Sequence, residues 1–199
     1  ENDLKESDVL LPDGIGIVWA ENMINGNKIK KIAGYDIFIH ILDLLKKDKG
    51  SVFFLGSSKK SLEKISVRMC LEYPEIKFGC YSPPYKKKFS NLDSEIMCGE
   101  VNNFKPDVLF VGMTAPKQEK WVREFKGCLH AKIICSVGAV FDFYSGSVKR
   151  PSSFWINLGL EWFARFLKEP KKLLKRNLIS TPKFVFEILL NKIFGKGFM

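Results

Sequence analysis

Through the middle of this chain, four short apolar runs alternate with stretches of helical periodicity. Ser51-Val-Phe-Phe-Leu-Gly56 reads as a buried strand closed by glycine, and Lys59–Tyr73 then carries Leu62, Ile65 and Met69 at helical spacing. Ile76–Gly79 is a second short strand and Phe89–Phe104 a second helix. Asp107–Val111 and Lys117–Phe125 repeat the pair, and Ala131–Val137 is a further strand. Parallel strands need a long crossover connection, usually a helix, so alternation of strands and helices with short links argues for a parallel sheet. The pattern therefore predicts an α/β fold: a Rossmann-like parallel sheet flanked by helices. Ligands of such sheets collect at the carboxyl ends of the strands. Those ends are Gly56-Ser57-Ser58, Gly79–Tyr85, Gly112–Gln118 and Gly138–Asp142.

The texture changes near Arg150-Pro151. Ser152-Ser153 reads as the cap of a helix holding Trp155, Leu158 and Trp162, and Pro170 and Pro182 divide the rest of the chain into short basic helices. Residues 1–150 are thus expected to form the body and 151–199 a C-terminal basic helical appendage. The formal charge of +10 concentrates here: from Arg165 onward nine basic residues face only Glu169 and Glu187. They are interleaved with Trp162, Phe163, Phe166, Phe184, Phe186 and Ile193, a mixture that suits an anionic membrane surface better than nucleic acid. A solvated helical face is the plainer alternative.

No run of about 18 uncharged apolar residues reads as a membrane span. The start shows no signal-peptide pattern, which implies a cytoplasmic protein. The five cysteines form no CxxC pair, and His40 and His130 have no metal-ligand spacing, so reduced thiols and no metal are expected.

Four segments carry groups able to do chemistry. Leu11-Pro-Asp-Gly14 places Asp13 in a strong turn former, as a turn residue or as a carboxylate fixed beside a site. Gly14-x-Gly16 is too weak for a dinucleotide fingerprint. Phe53-Phe-Leu-Gly-Ser-Ser-Lys-Lys60 ends a strand at a helix start, where Gly56, Ser57 or Ser58 either cap the helix or hold a diphosphate. Val111–Trp121 repeats that design with Gly112, Thr114, Pro116, Lys117 and Gln118. Thr114 and Pro116 suit helix initiation, whereas Gln118 has an amide able to meet sugar hydroxyls or a uracil edge. Ser136–Pro151 offers Gly138, Asp142, Tyr144, Ser145 and Gly146 ahead of Lys149-Arg150. GxxxxGK[ST], GxSxG, HExxH and a DxD pair are all absent.

Taken in order, LPDGIGIVWA, KKIAGYD, VFFLGSS, PDVLFVGMTAPKQEKW, SVGAVFDFYSGSVKRP and LGLEWFARFLKEPKKLLKR resemble the WecG/TagA/CpsF glycosyltransferase family of bacteria over nearly the whole chain. The resemblance implies transfer of a sugar of the N-acetylmannosamine type, from a UDP-sugar to a lipid-linked saccharide diphosphate. Such reactions serve teichoic acid, common antigen or capsule assembly at the inner face of the cytoplasmic membrane. It implies inversion without metal or other cofactor, with Asp13 as general base and Gln118 as a sugar contact. Arg150, Arg165 and Arg176 would neutralise the UDP leaving group. Lys31 stands where the family has Arg, keeping the charge and losing the bidentate fork. The family also carries a segment ahead of the Pro-Asp-Gly motif, and members self-associate, so a longer natural chain and a homo-oligomer are expected by analogy. The alternative is a catalytically weak nucleotide-sugar-binding subunit of an assembly complex.

Overall fold

The computed structural model describes residues 5–151, Trp155 and residues 181–194. The chain divides into two compact units, Glu1–Leu10 with Gly34–Lys149, and Leu11–Ala33 with Arg150–Met199. This grouping differs from a linear division at residue 150.

The first unit is built on strands β1 (Ser51–Gly56), β2 (Lys77–Tyr81), β3 (Val108–Gly112) and β4 (Ile133–Ser136), all parallel in the order β2-β1-β3-β4. The register aligns Gly56 with Gly112, so the two central strands end together. Because side chains alternate along a strand, each central strand feeds two cores. Val52, Phe54, Val108 and Phe110 point to one face, and Phe53, Leu55, Leu109 and Val111 to the other.

The first face is covered by three helices, α2 (Gly34–Asp48), α3 (Lys59–Glu72) and the short α6 (Val140–Tyr144). Phe38, Leu42 and Leu45 recur at helical spacing on α2, and Phe38 packs 4.6 Å from Phe110 and 5.0 Å from Tyr144 between ring centroids. The second face is covered by α4 (Asn91–Phe104) and α5 (Lys117–Phe125), through Met97, Val101 and Trp121. Each such apolar side chain taken fully from water stabilises the fold by roughly 1.5–3 kcal/mol before ordering costs.

Two helix starts are capped as their sequences allow. Ser58 accepts from the Ser61 amide at the head of α3, and Ser90 and Asp93 form a reciprocal capping box on α4. The α5 start differs from expectation. It has Pro116 at the cap position with no side-chain cap, and Thr114 contributes its carbonyl, which accepts from the Lys117 amide at 2.9 Å.

At the opposite edge of the sheet, Asp107 ties β1 to β3. Its carboxylate accepts from the Ser51 amide and hydroxyl at 2.8 Å each and from Lys132 at 2.7 Å. The Lys132 bond first, then those from Ser51, pull its pKa from 3.8 to about 2. A depressed folded-state value means the stabilisation is present above about pH 4 and lost as pH falls towards 2. We expect Asp107→Asn to be less stable than the parent at pH 7 and to show a shallower fall in stability between pH 4 and 2. Acid titration of thermal melts checks this; parallel curves would remove Asp107 from the acid response.

In the second unit, α1 (Ile15–Asn25) and α7 (Thr181–Phe194) pack together. A Cβ on Gly16 would lie 3.4 Å from the Phe184 ring, so this glycine allows the helices to approach. Gly26, with φ of 71°, closes α1 in the left-handed conformation. The helix expected after Ser152-Ser153 lies, apart from Trp155, outside the described residues, as do Pro170, Arg165 and Arg176.

Candidate functional site

In the first unit the expected site residues gather at the carboxyl edge of the sheet, tied together by backbone bonds. β1 leaves through Gly56, whose φ is 120° and whose added Cβ would stand 2.4 Å from the Gly112 carbonyl oxygen. Only glycine permits that approach. Ser57 follows with φ of 58°, donating its amide to the Gly112 carbonyl at 3.0 Å. Gly112 has its own packing reason, since a Cβ there would enter the Phe141 ring. The β1 and β3 exits are therefore one structure.

Ser58, not Ser57, caps α3. Lys59 and Lys60 occupy the first turn, with no acidic residue beside them. Two ammonium groups at the positive end of a helix are electrostatically unfavourable unless an anion sits there. With a bound anion the same arrangement becomes attractive.

Gln118 departs from expectation. Its amide was expected to face a ligand, yet the residue is 5% exposed. Its Oε1 accepts from the Met113 amide at 3.2 Å and the Gly138 amide at 3.1 Å. Both carbonyl lone pairs are used by these bonds. Nε2 donates to Glu119 Oε1 at 2.8 Å. Turning the amide over would set its NH₂ against two backbone donors, so the orientation is fixed by chemistry. Gln118 staples the β3 exit to the β4 exit, where Gly138 turns with φ of 56°.

Lys117, half-buried, lies 4.3 Å from the Phe89 ring centroid and donates to the Lys86 carbonyl at 3.0 Å. Burial lowers its pKa from the ordinary lysine value. Its ammonium is thereby aimed by the β2–α4 loop. That loop also reaches the β1 exit, because Ser82 donates to the Ser57 carbonyl at 2.8 Å. Ser82 and Glu119 fall within strand-end segments already singled out, whereas Lys86 and Phe89 are supporting residues that motif reading missed. Their only sequence signal was a polar, basic run after a strand end.

Asp142 is half-buried on α6, and its carbonyl accepts from Ser145 Oγ and the Val148 amide. Tyr144, named above among the groups of the same segment, is fully buried. Its hydroxyl donates to Glu72 at 3.1 Å and the Arg68 guanidinium lies over its ring at 4.1 Å. Burial first, then Glu72, drives its pKa far above the ordinary phenol value.

Asp13, Lys31 and Arg150 belong to the second unit. Asp13 is exposed, one residue ahead of Gly14 at the α1 cap, with its amide bonded to the Leu11 carbonyl at 3.0 Å. The Ile32 amide donates to the Pro12 carbonyl at 3.0 Å. This bond lays the Lys31 segment beside the Asp13 turn, joining two expected site residues 18 positions apart. Among the described residues no cluster of three His, Cys, Asp or Glu is placed to hold a metal.

A four-stranded parallel sheet flanked by helices, with polar loops at its carboxyl edge, defines a Rossmann-like fold. The chain belongs to the Glycosyl transferase WecG/TagA/CpsF family, whose sequence profile matches residues 1–197. It is 32% identical over 186 residues to the N-acetylglucosaminyldiphosphoundecaprenol N-acetyl-beta-D-mannosaminyltransferase of Bacillus subtilis (strain 168), covering 94% of this chain and 70% of that protein. The protein of the same name from Bacillus spizizenii is 33% identical with the same coverage. The one from Staphylococcus aureus (strain MW2) is 26% identical over 185 residues, or 93% and 70% of the two chains.

Proposed function

We propose that this protein transfers an N-acetylmannosamine-type sugar from a UDP-sugar to a lipid-linked N-acetylglucosaminyl diphosphate, with inversion and without metal. The observation that carries the donor reading is the fusion of the β1, β3 and β4 exits through Ser57, Gly112, Gln118 and Gly138. In that reading the amides at the head of α3, with Lys59, Lys60 and Lys117, receive the diphosphate. Gly138 lets it approach the backbone, Gly56 holds the β1 exit against Gly112, and Thr114 and Asp142 border the sugar. The acceptor specificity follows the names of the relatives.

In the reaction proposed, Asp13 removes the proton from the acceptor hydroxyl as its oxygen attacks the anomeric carbon. The bond from that carbon to UDP breaks with the electron pair leaving on the diphosphate. Lys31, Arg150, Arg165 and Arg176 are the cations assigned to that charge. The direct test is UDP release from a panel of UDP-sugars with a short-chain lipid-diphosphate acceptor. Release from the N-acetylmannosamine donor only when acceptor is present supports transfer; donor binding without release would support the binding subunit.

We also place the protein peripherally on the inner, anionic face of the cytoplasmic membrane. No helix among the described residues is long and apolar enough to cross a bilayer. In the second unit, Ile17 and Trp19 on α1 and Val185 and Phe186 on α7 are exposed, with Trp19 at 60% and Phe186 at 61%. Lys183 and Lys192 add positive charge on α7. Co-sedimentation with phosphatidylglycerol vesicles is expected to fall several-fold for Trp19→Ser/Phe186→Ser and further on removal of residues after Arg165. Equal binding by parent and truncated chains would sink the membrane assignment.

A further inference from the structure

Sequence spacing left the five cysteines as unrelated thiols, but the fold brings two of them together. Cys98 lies on α4 within the core formed with Met97, Val101 and Leu129, and is buried. Cys128 ends the 3-10 turn Lys126–Cys128 that succeeds α5, and is exposed. Their sulfurs stand 3.9 Å apart. The approach is anchored by backbone rather than by side-chain chance. Asn102, one helical turn beyond Cys98, donates to the Cys128 carbonyl at 2.8 Å and accepts from the His130 amide at 2.7 Å. The Cys128 carbonyl and the His130 amide are therefore both clamped to α4. Reaching a disulfide bond length of about 2.05 Å needs the sulfurs to close by about 1.9 Å, with Cys128 Sγ leaving the Phe125 carbonyl to which it donates at 3.0 Å.

We infer that Cys98 and Cys128 form a dithiol site for reversible covalent modification, closed to a disulfide by exchange with small disulfides of the glutathione class. The exposed Cys128 is the point of attack. Its thiolate attacks one sulfur of the small disulfide, giving a mixed disulfide on Cys128 and releasing one thiolate, which takes up the proton Cys128 lost. Cys98 then attacks the Cys128 sulfur, passing its proton to the second departing thiolate. Two protein thiols are oxidised and one small disulfide is reduced to two thiols. Burial, followed by the neighbouring Cys128, raises the Cys98 thiol to about 12. Cys98 is thus inert on its own, and the second step is the slower one.

The closed bond would bridge α4 to the far end of α5 and enclose β3, Gly112 and Gln118. It links the redox state of the chain to the strand and helix that carry the candidate site.

The test uses the full, reduced protein incubated with oxidised glutathione, quenched with acid, then unfolded in denaturant, alkylated and digested for peptide mass analysis. The expected product is a Cys98–Cys128 cross-linked peptide that dithiothreitol reverses, with the melting temperature raised by about 5–10 °C. Cys128→Ser is expected to leave Cys98 alkylatable throughout. Cys98→Ser is expected to trap glutathione on Cys128. If Cys98 stays alkylatable in the parent protein after Cys128 has become glutathionylated, the pair does not close and the inference fails. None of these readouts depends on the transferase reading.

Discussion

Asp13→Asn is expected to lower sugar transfer by about 10²–10⁴-fold while leaving UDP-sugar binding within about twofold of the parent. The chemistry behind this is narrow. An acceptor hydroxyl is a weak nucleophile, and a carboxylate that takes its proton in the transition state acts there and not in the ground state. Its loss should therefore appear in kcat with little change in donor KM. Asp13 is exposed in a Pro-Asp-Gly turn, and asparagine supports turns as well as aspartate does. Isothermal titration with UDP, thermal melts and steady-state turnover together decide the matter. Turnover within twofold of the parent would remove Asp13 from the reaction, and a parallel loss of donor affinity would make it a binding residue.

How far the sequence could be read depended on where each residue sits in the sheet. β1 and β3 are central and buried on both faces, so Val52–Leu55 and Leu109–Val111 are unbroken apolar runs and stood out. β2 and β4 border the described sheet, with exposed Lys77 and Ile133, and their bounds shifted by one or two residues from expectation. α1 was not legible as a helix: none of its residues is buried, and Gly14 and Gly16 read as turn formers. Only the close approach of Phe184, far along the chain, explains Gly16. The glycines at the strand ends stood out in the sequence, but spacing cannot say whether a glycine admits a ligand or a neighbouring carbonyl. For Gly56 and Gly112 the neighbouring protein atoms are reason enough. The same ambiguity applied to Gln118, since an amide that staples two loops and one that reads a sugar need the same residue at the same strand end.

That distinction gives Gln118 variants a sharp expected pattern. Gln118→Met keeps the volume and removes the acceptor, leaving the Met113 and Gly138 amides without their partner. Each buried or half-buried donor so stranded costs about 1–3 kcal/mol, and we expect Gln118→Met to be destabilised by about 2–4 kcal/mol. Gln118→Glu separates the oxygen's role from the nitrogen's. One carboxylate oxygen can still accept from both amides, but the other replaces Nε2 beside Glu119 Oε1, where the donor now stands at 2.8 Å. Two carboxylates at that separation disfavour ionising together, so the introduced carboxyl has a raised pKa in the folded state. A raised folded-state value means the variant is closest to the parent in acid and loses stability as pH rises through that value. Thermal melts of Gln118→Glu from pH 5 to 8 should therefore diverge from the parent with increasing pH, while Gln118→Met stays offset by a constant amount. A side chain that only touched substrate would give neither result: both variants would melt with the parent at every pH and differ from it in donor KM alone.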